Sequence, residues 1–368
     1  MKLDSAEFLN FRNIERVLFE FDPEMNIIFG KNAQGKTNAV EGIYLFAGGR
    51  SFRRASDADM RRFGSDMTQL GIKFSSAERN YEMALRYRDT GRREMFKNGA
   101  KVPRVSDFVG TFRAVLFCPS HLSIVQSEPS VRRAFIDGAI SQFKPKYLAS
   151  LIEYGKVIEQ KNALLRSVDD KPEGFDDIYD ILSERAAELG GYITAVRSEY
   201  LSRLFGYVDD LLFDMSGERA SYEYKTSISG DGDLNNEDDN AERYRKKTAL
   251  FKERETAAGT SLIGAHRDDF EIFLGERAAK IFASQGQQRS IALALKLAEG
   301  EISKNECGEY PVFLLDDVLS ELDRERKNYV LSRLGGRQVI ITSCDESDFS
   351  EITHGKRIRV TAGRYQYV

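Results

Sequence analysis

The sequence predicts an α/β fold in which one lobe is built from both ends of the chain and a mainly helical lobe is inserted between them. Short apolar runs separated by turns fill the first third, helical periodicity begins near residue 130, and apolar strands return after residue 261. At 368 residues the chain also exceeds the roughly 250–300 residues that a single hydrophobic core serves. We therefore expect one lobe at residues 1–118 and 258–368, and the helical lobe at residues 119–257.

The N-terminal third is expected to form strands joined by tight turns. Its apolar or alternating segments lie at residues 17–21, 25–29, 68–74, 81–87 and 94–97. Asn98 and Gly99 follow the last of these segments, and both residue types tolerate positive φ. A hairpin is therefore predicted there.

The middle of the chain keeps a helical spacing of apolar residues up to about Tyr222, most clearly at residues 147–158 and 178–182. Residues 169–174 are expected to form a loop between helices. Residues 229–240 carry five acidic residues, two glycines and no basic residue, which predicts a solvated loop. Strands are then expected at residues 269–274, 312–315 and 338–342, with a long helix between the first two.

A glycine-rich loop follows the apolar run at residues 25–29 and precedes a helical stretch at residues 38–46. It matches the pattern G-x-x-x-x-G-K-[ST] at every position, reading Gly30-Lys31-Asn32-Ala33-Gln34-Gly35-Lys36-Thr37. In such a loop, backbone N–H groups and a helix N-terminus surround the phosphates, the lysine reaches the β- and γ-phosphates and the final hydroxyl binds Mg²⁺. We therefore expect this loop to bind ATP with Mg²⁺, and Lys36 to act in catalysis.

The apolar run at residues 312–315 ends in two aspartates, Asp316 and Asp317. A carboxylate at the end of a buried strand is what a Walker B site uses to hold Mg²⁺, and Asp316 is predicted to fill that role. Asp317 is placed to orient or deprotonate the attacking water. The loop and this strand are about 280 residues apart. A compact GTPase or a small-molecule kinase needs far less chain between them.

A third motif, Ser284-Gln285-Gly286-Gln287-Gln288-Arg289, precedes a helix predicted at residues 290–301. A small hydroxyl residue, a glycine and a helix N-terminus form an anion-binding nest, so Ser284, Gly286 and Gln287 are candidates for nucleotide contact. The segment resembles the signature motif of ABC-type ATPases, and a polar helix cap is the alternative interpretation. In that superfamily the motif closes on the γ-phosphate held by a second subunit, and residues 319–323 resemble the D-loop that crosses between subunits. The resemblance implies an ATP-dependent homodimer with two shared sites.

Beyond the nucleotide motifs, the chain resembles the RecF family of bacterial recombination and repair ATPases, which are related to SMC heads, over essentially its whole length. The shared segments are residues 9–13, 30–37, 49–53, 117–119, 132–137, 160–165, 264–269 and 284–289. The resemblance implies an ABC-type ATPase head that binds single-stranded or gapped DNA and hydrolyses ATP slowly, with stimulation by DNA. It also implies recombinase loading at single-strand gaps with RecO and RecR, replication-fork maintenance and SOS induction.

Two departures from the ABC pattern indicate a slow switch rather than a fast motor. Residues 341–344 contain no histidine, although transporter-type ABC ATPases carry one there. Asp317 stands where such enzymes usually carry a glutamate, which has a longer reach. Gln126 is the nearest candidate for the glutamine of a Q-loop.

Any DNA-binding face must come from local charge, because the formal net charge is −4. Basic residues lie at 132–133 and 243–247, and an arginine cluster after the first predicted helix comprises Arg50, Arg53, Arg54, Arg61 and Arg62. Phosphate contacts would make binding depend on salt concentration. Solvated arginines paired with Asp57, Asp59 and Asp66 are an equally good interpretation. His266 could lie near the nucleotide or an interface, although a structural role is favoured.

The composition also argues against several other classes of protein. Three widely spaced cysteines predict neither a disulfide framework nor a zinc site, and they fit a reducing compartment. No segment approaches the ~18 apolar residues of a membrane span, and the first residues lack the apolar run of a signal peptide, so we expect a soluble cytoplasmic protein. Two other functions stay open, the nucleotide-binding subunit of an ABC-type transporter and an anti-phage ABC-like ATPase.

Overall fold

The computed structural model describes residues 1–77, 79–88, 93–167, 173–228, 230, 232–345 and 354–368. The strands within these ranges are β1 (Lys2–Phe11), β2 (Ile14–Glu20), β3 (Met25–Phe29), β4 (Met67–Ser76), β5 (Arg79–Arg88), β6 (Arg93–Lys97), β7 (Ala100–Val102), β8 (Ala114–Phe117), β9 (Ala220–Lys225), β10 (Asp269–Leu274), β11 (Arg277–Ala278), β12 (Val312–Asp316), β13 (Val339–Ser343), β14 (Lys356–Thr361) and β15 (Arg364–Tyr367). The α-helices are α1 (Lys36–Gly48), α2 (Val105–Phe108), α3 (Pro129–Ser141), α4 (Pro145–Arg166), α5 (Phe175–Ser216), α6 (Glu237–Ala258), α7 (Ala279–Phe282), α8 (Gln285–Cys307) and α9 (Arg324–Arg333).

The N-terminal third forms an antiparallel sheet with the strand order β2-β1-β4-β5-β6-β7. The predicted strands of this region are confirmed, and β1 is added to them. Asn98 and Gly99 join β6 to β7 with φ values of 49° and 77°, so the predicted hairpin is confirmed as well.

A second sheet combines strands from both ends of the chain in the order β15-β14-β3-β13-β12-β8. The neighbours from β14 to β8 are parallel, and β15 is antiparallel to β14. N-terminal β3 lies between C-terminal β14 and β13, which confirms the α/β lobe built from both chain ends. In parallel strands the carboxyl ends share one edge, so β3, β13 and β12 end side by side.

The two faces of this parallel sheet belong to different cores. Ile28, Leu314 and Ile340 pack with α1 and the antiparallel sheet on one face. Ile27, Leu315 and Ile341 pack with α3, α4, α5 and α8 on the other. Because both faces are buried, the strands read in the sequence as continuous apolar runs.

The prediction of helical structure up to about Tyr222 is wrong for its last residues. Helix α5 ends at Ser216, followed by Gly217 with a φ of 73°. Tyr222 lies in β9, which pairs with β10 in an antiparallel sheet whose order is β11-β10-β9. In this segment Ala220, Tyr222 and Tyr224 alternate with more exposed residues, and a period of two is that of a strand.

The predicted acidic loop at residues 229–240 is wrong in its second half. Asn236 caps helix α6, and its side-chain oxygen accepts hydrogen bonds from Asp238 N at 3.0 Å and Asp239 N at 3.2 Å. Three of the five acidic residues that suggested a solvated loop occupy the first helical turn, where negative charge is favourable to the helix dipole. Residues 229 and 231, like residues 169–172 of the other predicted loop, lie outside the described residues.

The helices α4 and α5 confirm the helical middle of the chain, whereas the lobe boundaries at residues 118 and 258 stay a prediction. Helix α6 ends at Ala258, but β9 pairs with β10 across that boundary. In the part of the chain that the structure describes, no helix has both the length and the apolar character that a membrane span needs.

Candidate nucleotide-binding site

Residues 30–35 form a tight loop from the end of β3 to the start of α1, and its glycines are required by close neighbours. A Cβ atom at Gly30 would lie 2.3 Å from the carbonyl oxygen of Val360. Gly35 has a φ of 117°, and a Cβ there would lie 2.9 Å from Asn13 Oδ1. Helix α1 starts at Lys36, so its first N–H groups lack intrahelical partners and are available to an anion.

Lys36 is folded into this loop and is only 5% exposed. Its Nζ donates hydrogen bonds to Gly30 O at 2.8 Å and Lys31 O at 3.3 Å. The ammonium group therefore lies inside the ring of loop backbone that would surround a phosphate.

Asp316 ends β12 next to this loop and is 4% exposed. Thr342 Oγ1 donates to Asp316 Oδ1 at 2.8 Å, and the Thr37 hydroxyl lies near enough to the carboxylate to lower its pKa. Burial raises the pKa of Asp316, while the two hydroxyl groups act in the opposite direction. Thr37 and Asp316 thus bring two oxygen donors together.

These two donors fit Mg²⁺, which prefers oxygen ligands and is commonly bound by one or two protein groups together with substrate phosphates. Among the residues described, no group of three or more His, Cys, Asp or Glu side chains could hold a metal by itself. Thr37 and Asp316 would hold the ion only together with nucleotide phosphates.

Asp317 has a φ of 54°, a value that non-glycine residues adopt only when the surroundings fix it. Thr342 provides that restraint, because Asp317 N donates to Thr342 O at 3.2 Å and to Thr342 Oγ1 at 3.0 Å. Cys344 Sγ lies 3.3 Å from Asp317 Oδ2 and 3.4 Å from Lys36 Nζ. The segment that ends β13 and continues to Cys344 contains no histidine, and it contacts both the P-loop lysine and the second aspartate after β12.

Three residues that hold the loop or the two aspartates in place were not predicted as site residues. Asn13 Nδ2 donates to Gln34 O at 3.1 Å, and Tyr365 OH donates to Gly35 O at 2.8 Å. Thr342 is the third, and it bonds Asp316 and Asp317. Asn13 ends one of the segments shared with the RecF family, which is the one signal that could have singled it out.

The signature-like motif lies at the start of α8, and the cap interpretation is correct as far as local structure goes. Ser284 Oγ accepts from Gln287 N at 3.2 Å, and Gln287 Oε1 accepts from Ser284 N at 2.7 Å, which is a capping box. Gln287 Nε2 also donates to Glu218 Oε1 at 2.5 Å. In the described part of the chain, no hydrogen bond joins residues 284–287 to residues 30–37. The predicted nucleotide contacts of Ser284, Gly286 and Gln287 stay a prediction, as does Gln126, which is exposed after β8.

The basic groups have different environments from those expected. Arg132 is 5% exposed and forms bonds of 2.7 and 2.6 Å with Asp269, so it is structural. Arg133 donates to Asp268 O at 2.6 Å. Arg53 and Arg62 lie near Glu41 and Glu15, at 3.7 and 3.6 Å, instead of the expected aspartates.

His266 has a structural position between helix α4 and the segment before β10. Its Nδ1 lies 2.9 Å from Tyr154 OH, and its Nε2 lies 3.3 Å from Ser261 O. Burial lowers the pKa of His266 to about 4. The favoured structural interpretation agrees with these contacts.

The buried His266 predicts a pH-dependent stability. Between its folded pKa of about 4 and its unfolded value of 6.5, the imidazole is neutral when folded and protonated when unfolded. Its contribution is therefore complete above pH 6.5 and is lost as the pH falls toward 4, at about 1.4 kcal/mol per pH unit. Urea denaturation of the wild type and of His266→Gln at several pH values should give a stability difference that grows in favour of the wild type from pH 4 to 6.5. A difference that does not change with pH would contradict this prediction.

Thr342 should matter for hydrolysis, because its hydroxyl accepts from the N–H of one aspartate and donates to the carboxylate of the other. We expect Thr342→Val, which keeps the shape, to lower the turnover number by about tenfold and the stability by about 1 kcal/mol. Thr342→Ser keeps the hydroxyl and is the matched control. Turnover and urea denaturation measured on both variants check this, and equal rates in the two would rule out a role for the hydroxyl.

The comparisons with known proteins agree along the whole chain. The family described as "RecF/RecN/SMC N terminal domain" matches residues 2–366. "DNA replication and repair protein RecF" of Clostridioides difficile (strain 630) is 35% identical over 352 residues, covering 94% of this chain and 92% of that protein. Its counterpart from Acetivibrio thermocellus is 35% identical over 371 residues, covering 100% of both.

Solved structures extend this result. "Structure of the recombination mediator protein RecF-ATPrS in RecFOR pathway" superposes with a TM-score of 0.94 and 32% identity, covering 100% of this chain and 98% of that one. An Smc head bound to the C-winged helix domain of ScpA has a TM-score of 0.58 at 14% identity, covering 100% and 97%, which shows a shared fold only. The family match and the relatives above 30% identity thus span nearly the whole chain, and this chain belongs to the RecF family.

Proposed function

We propose that this chain is an ATP-dependent DNA-binding protein of DNA replication and recombinational repair, with slow, DNA-stimulated ATP hydrolysis that acts as a switch. One observation carries the proposal. Lys36, Thr37, Asp316 and Asp317 meet at the carboxyl ends of the adjacent parallel strands β3, β13 and β12. This edge is where open α/β sheets bind their ligands.

The side chains have distinct roles in the proposed reaction. Lys36 Nζ would exchange its loop carbonyls for oxygens of the β- and γ-phosphates. Mg²⁺ held by Thr37, Asp316 and those phosphates would neutralise charge that develops on the transferring group. Asp317, fixed through its backbone by Thr342, would orient or deprotonate the attacking water. The short reach of an aspartate at this position supports a slow rate.

Completion of the site by a second copy is the next part of the proposal. Residues 284–287 make their hydrogen bonds within their own cap and to Glu218, whereas the P-loop is anchored by Asn13 and Tyr365. Ile281 and Phe282, separated from the motif only by Ala283, are 72% and 63% exposed. An exposed apolar pair beside a helix N-terminus that can bind an anion is typical of an interaction surface. We infer that the P-loop face of a second copy covers this pair when ATP is bound.

The cellular role follows from what the relatives are called. They are named DNA replication and repair proteins, and one solved relative is described as a recombination mediator in the RecFOR pathway. We extend this to recombinase loading at single-strand gaps with RecO and RecR as partners, to replication-fork maintenance and to SOS induction. The full-length match favours this role over a transporter subunit or an anti-phage ATPase.

ATP turnover and DNA binding, each at two salt concentrations, test the proposal. We expect DNA to raise the turnover rate, ATP to strengthen DNA binding, and added salt to weaken that binding steeply. Asp317→Asn protein purified in the same way measures any contaminating ATPase. A turnover rate that is indifferent to DNA, together with no salt-sensitive binding, would refute the proposed function.

A further inference from the structure

Phe63 is the most exposed large apolar side chain among the residues that the structure describes, with a relative exposure of 104%. It projects from a turn between the first helix and β4, with Arg61 and Arg62 before it and Gly64 and Ser65 after it. An exposed aromatic ring that follows two arginines in the chain combines a stacking surface with positive charge on the same segment.

The exposure of Phe63 results from a well-anchored turn. Ser65 N and Ser65 Oγ both donate to Arg62 O, at 3.1 and 2.6 Å, and Gly64 supplies the positive φ of 81° that closes the turn. Arg62 N in turn donates to Asn10 O at 2.9 Å. The ring is therefore presented on a fixed backbone and loses little conformational freedom when it binds a flat ligand.

The segment before the turn is also connected to the helix that follows the P-loop. Arg12 N donates to Met60 O at 3.1 Å, and Arg12 Nη1 donates to Asp59 O at 2.8 Å. The same guanidinium donates to both carboxylate oxygens of Glu41, at 3.0 and 2.7 Å, and Glu41 is fully buried on α1. The hydrogen bonds of Arg12 thus tie the segment just before the turn to helix α1, which begins at the P-loop lysine.

We propose that Phe63 is a stacking platform for an unpaired base of single-stranded DNA, with Arg61 and Arg62 contacting the flanking phosphates. The inference rests on the proposed function and extends it by naming the contact. Aromatic rings bind successive bases through their π-faces without sequence preference, and neighbouring cations bind the backbone. Arg62 is suited to this because its partner Glu15 is 3.6 Å away and both side chains are exposed, so a phosphate can replace that ion pair at little cost.

The surroundings favour a base over a protein partner. Anchor residues of protein interfaces typically sit at the centre of an apolar, well-packed patch. The residues next to Phe63 in the chain, Arg61, Arg62, Gly64, Ser65 and Asp66, carry no large apolar side chain, and the nearest exposed apolar residue along the chain is Met67, at 36%. A single, fully exposed ring flanked in the chain by polar residues offers one flat face, which is what an unstacked base requires.

Paired substitutions test the stacking contact. Phe63→Ala is expected to weaken binding of a single-stranded oligonucleotide about tenfold in the presence of ATP, since loss of one stacked base costs affinity on that order. Binding of a duplex of equal length should stay unchanged, and so should the salt dependence, because no charge is removed. Phe63→Tyr should restore the affinity. Leu250→Ala, at another strongly exposed apolar residue, is the control and should bind like the wild type.

Fluorescence gives a direct second readout, because the chain contains no tryptophan. Phe63→Trp places a single indole at the turn, and a stacked base is expected to quench its emission with single-stranded DNA and not with a duplex. The inference would be overturned if Phe63→Ala bound single-stranded DNA as the wild type does, or if the substitution weakened duplex binding equally. In either case, ATP-dependent DNA binding by the wild type would leave the proposed function standing. Loss of RecO or RecR binding without a change in DNA affinity would likewise overturn it, in favour of a protein contact. A wild-type protein that binds no DNA would overturn both.

Discussion

Lys36→Arg is expected to reduce the turnover number for ATP by about 100-fold, which is the usual cost of losing one preorganised donor to a transition state. The positive charge survives the substitution, so nucleotide affinity should change by much less. The reason is geometric. Lys36 Nζ lies among Gly30 O, Lys31 O and Cys344 Sγ, within 2.8 to 3.4 Å of each, and the side chain is only 5% exposed. A planar guanidinium is larger than an ammonium and directs its donors along a fixed fork.

Two measurements separate the effects of Lys36→Arg. Single-turnover hydrolysis reports the chemical step, and calorimetric titration with ATP reports binding. Lys156→Arg, at an exposed position of α4, is the matched control and should behave as the wild type in both. An equal loss of binding and hydrolysis would mean that Lys36 mainly holds the ground state, and unchanged hydrolysis would refute its catalytic role.

The nucleotide motifs could be predicted because their chemistry depends on residue types at fixed local spacing. A glycine that leaves no room for a Cβ, such as Gly30 against Val360 O, is visible in sequence as part of the P-loop pattern. The residues that complete the site are a different case. Tyr365 lies 330 positions from Gly35, and Thr342 lies 26 positions from Asp316. Their roles arise from strand pairing between distant segments, and no local period encodes such pairing.

The errors in the fold have a related origin, since one composition can serve two structures. The acidic run at the start of α6 is compatible with both a solvated loop and a first helical turn, and the Asn236 cap decides between them.

Basic residues are ambiguous in the same way. Arg132 and Arg133 form a basic group in the sequence, yet Arg132 is buried against Asp269 and Arg133 bonds the backbone of Asp268. Charge alone does not distinguish a DNA contact from an internal ion pair.

Ser284→Arg is expected to abolish ATP-dependent dimerisation while ATP binding by the monomer stays intact, because Ser284 lies outside the P-loop and makes its cap bonds at the start of α8. In the proposed dimer this helix start faces the γ-phosphate of the second copy, and a bulky side chain would keep the two faces apart. Sedimentation with and without ATP checks the result.

The effect of losing the N-cap of α8 must be distinguished from the steric effect of the arginine, because losing the cap costs about 1 kcal/mol of stability by itself. Ser284→Ala removes the cap without adding bulk, and Asn236→Ala removes the cap of α6, whose side chain accepts from Asp238 N and Asp239 N, away from this motif. Asn236→Ala should still dimerise with ATP, and Ser284→Ala should dimerise more weakly than the wild type but measurably. ATP-dependent dimers of Ser284→Arg would refute the shared site. In a shared site the arginine would keep the two faces apart, so dimers that still form must use a different surface. Loss of dimers in all three variants would instead assign the effect to helix stability.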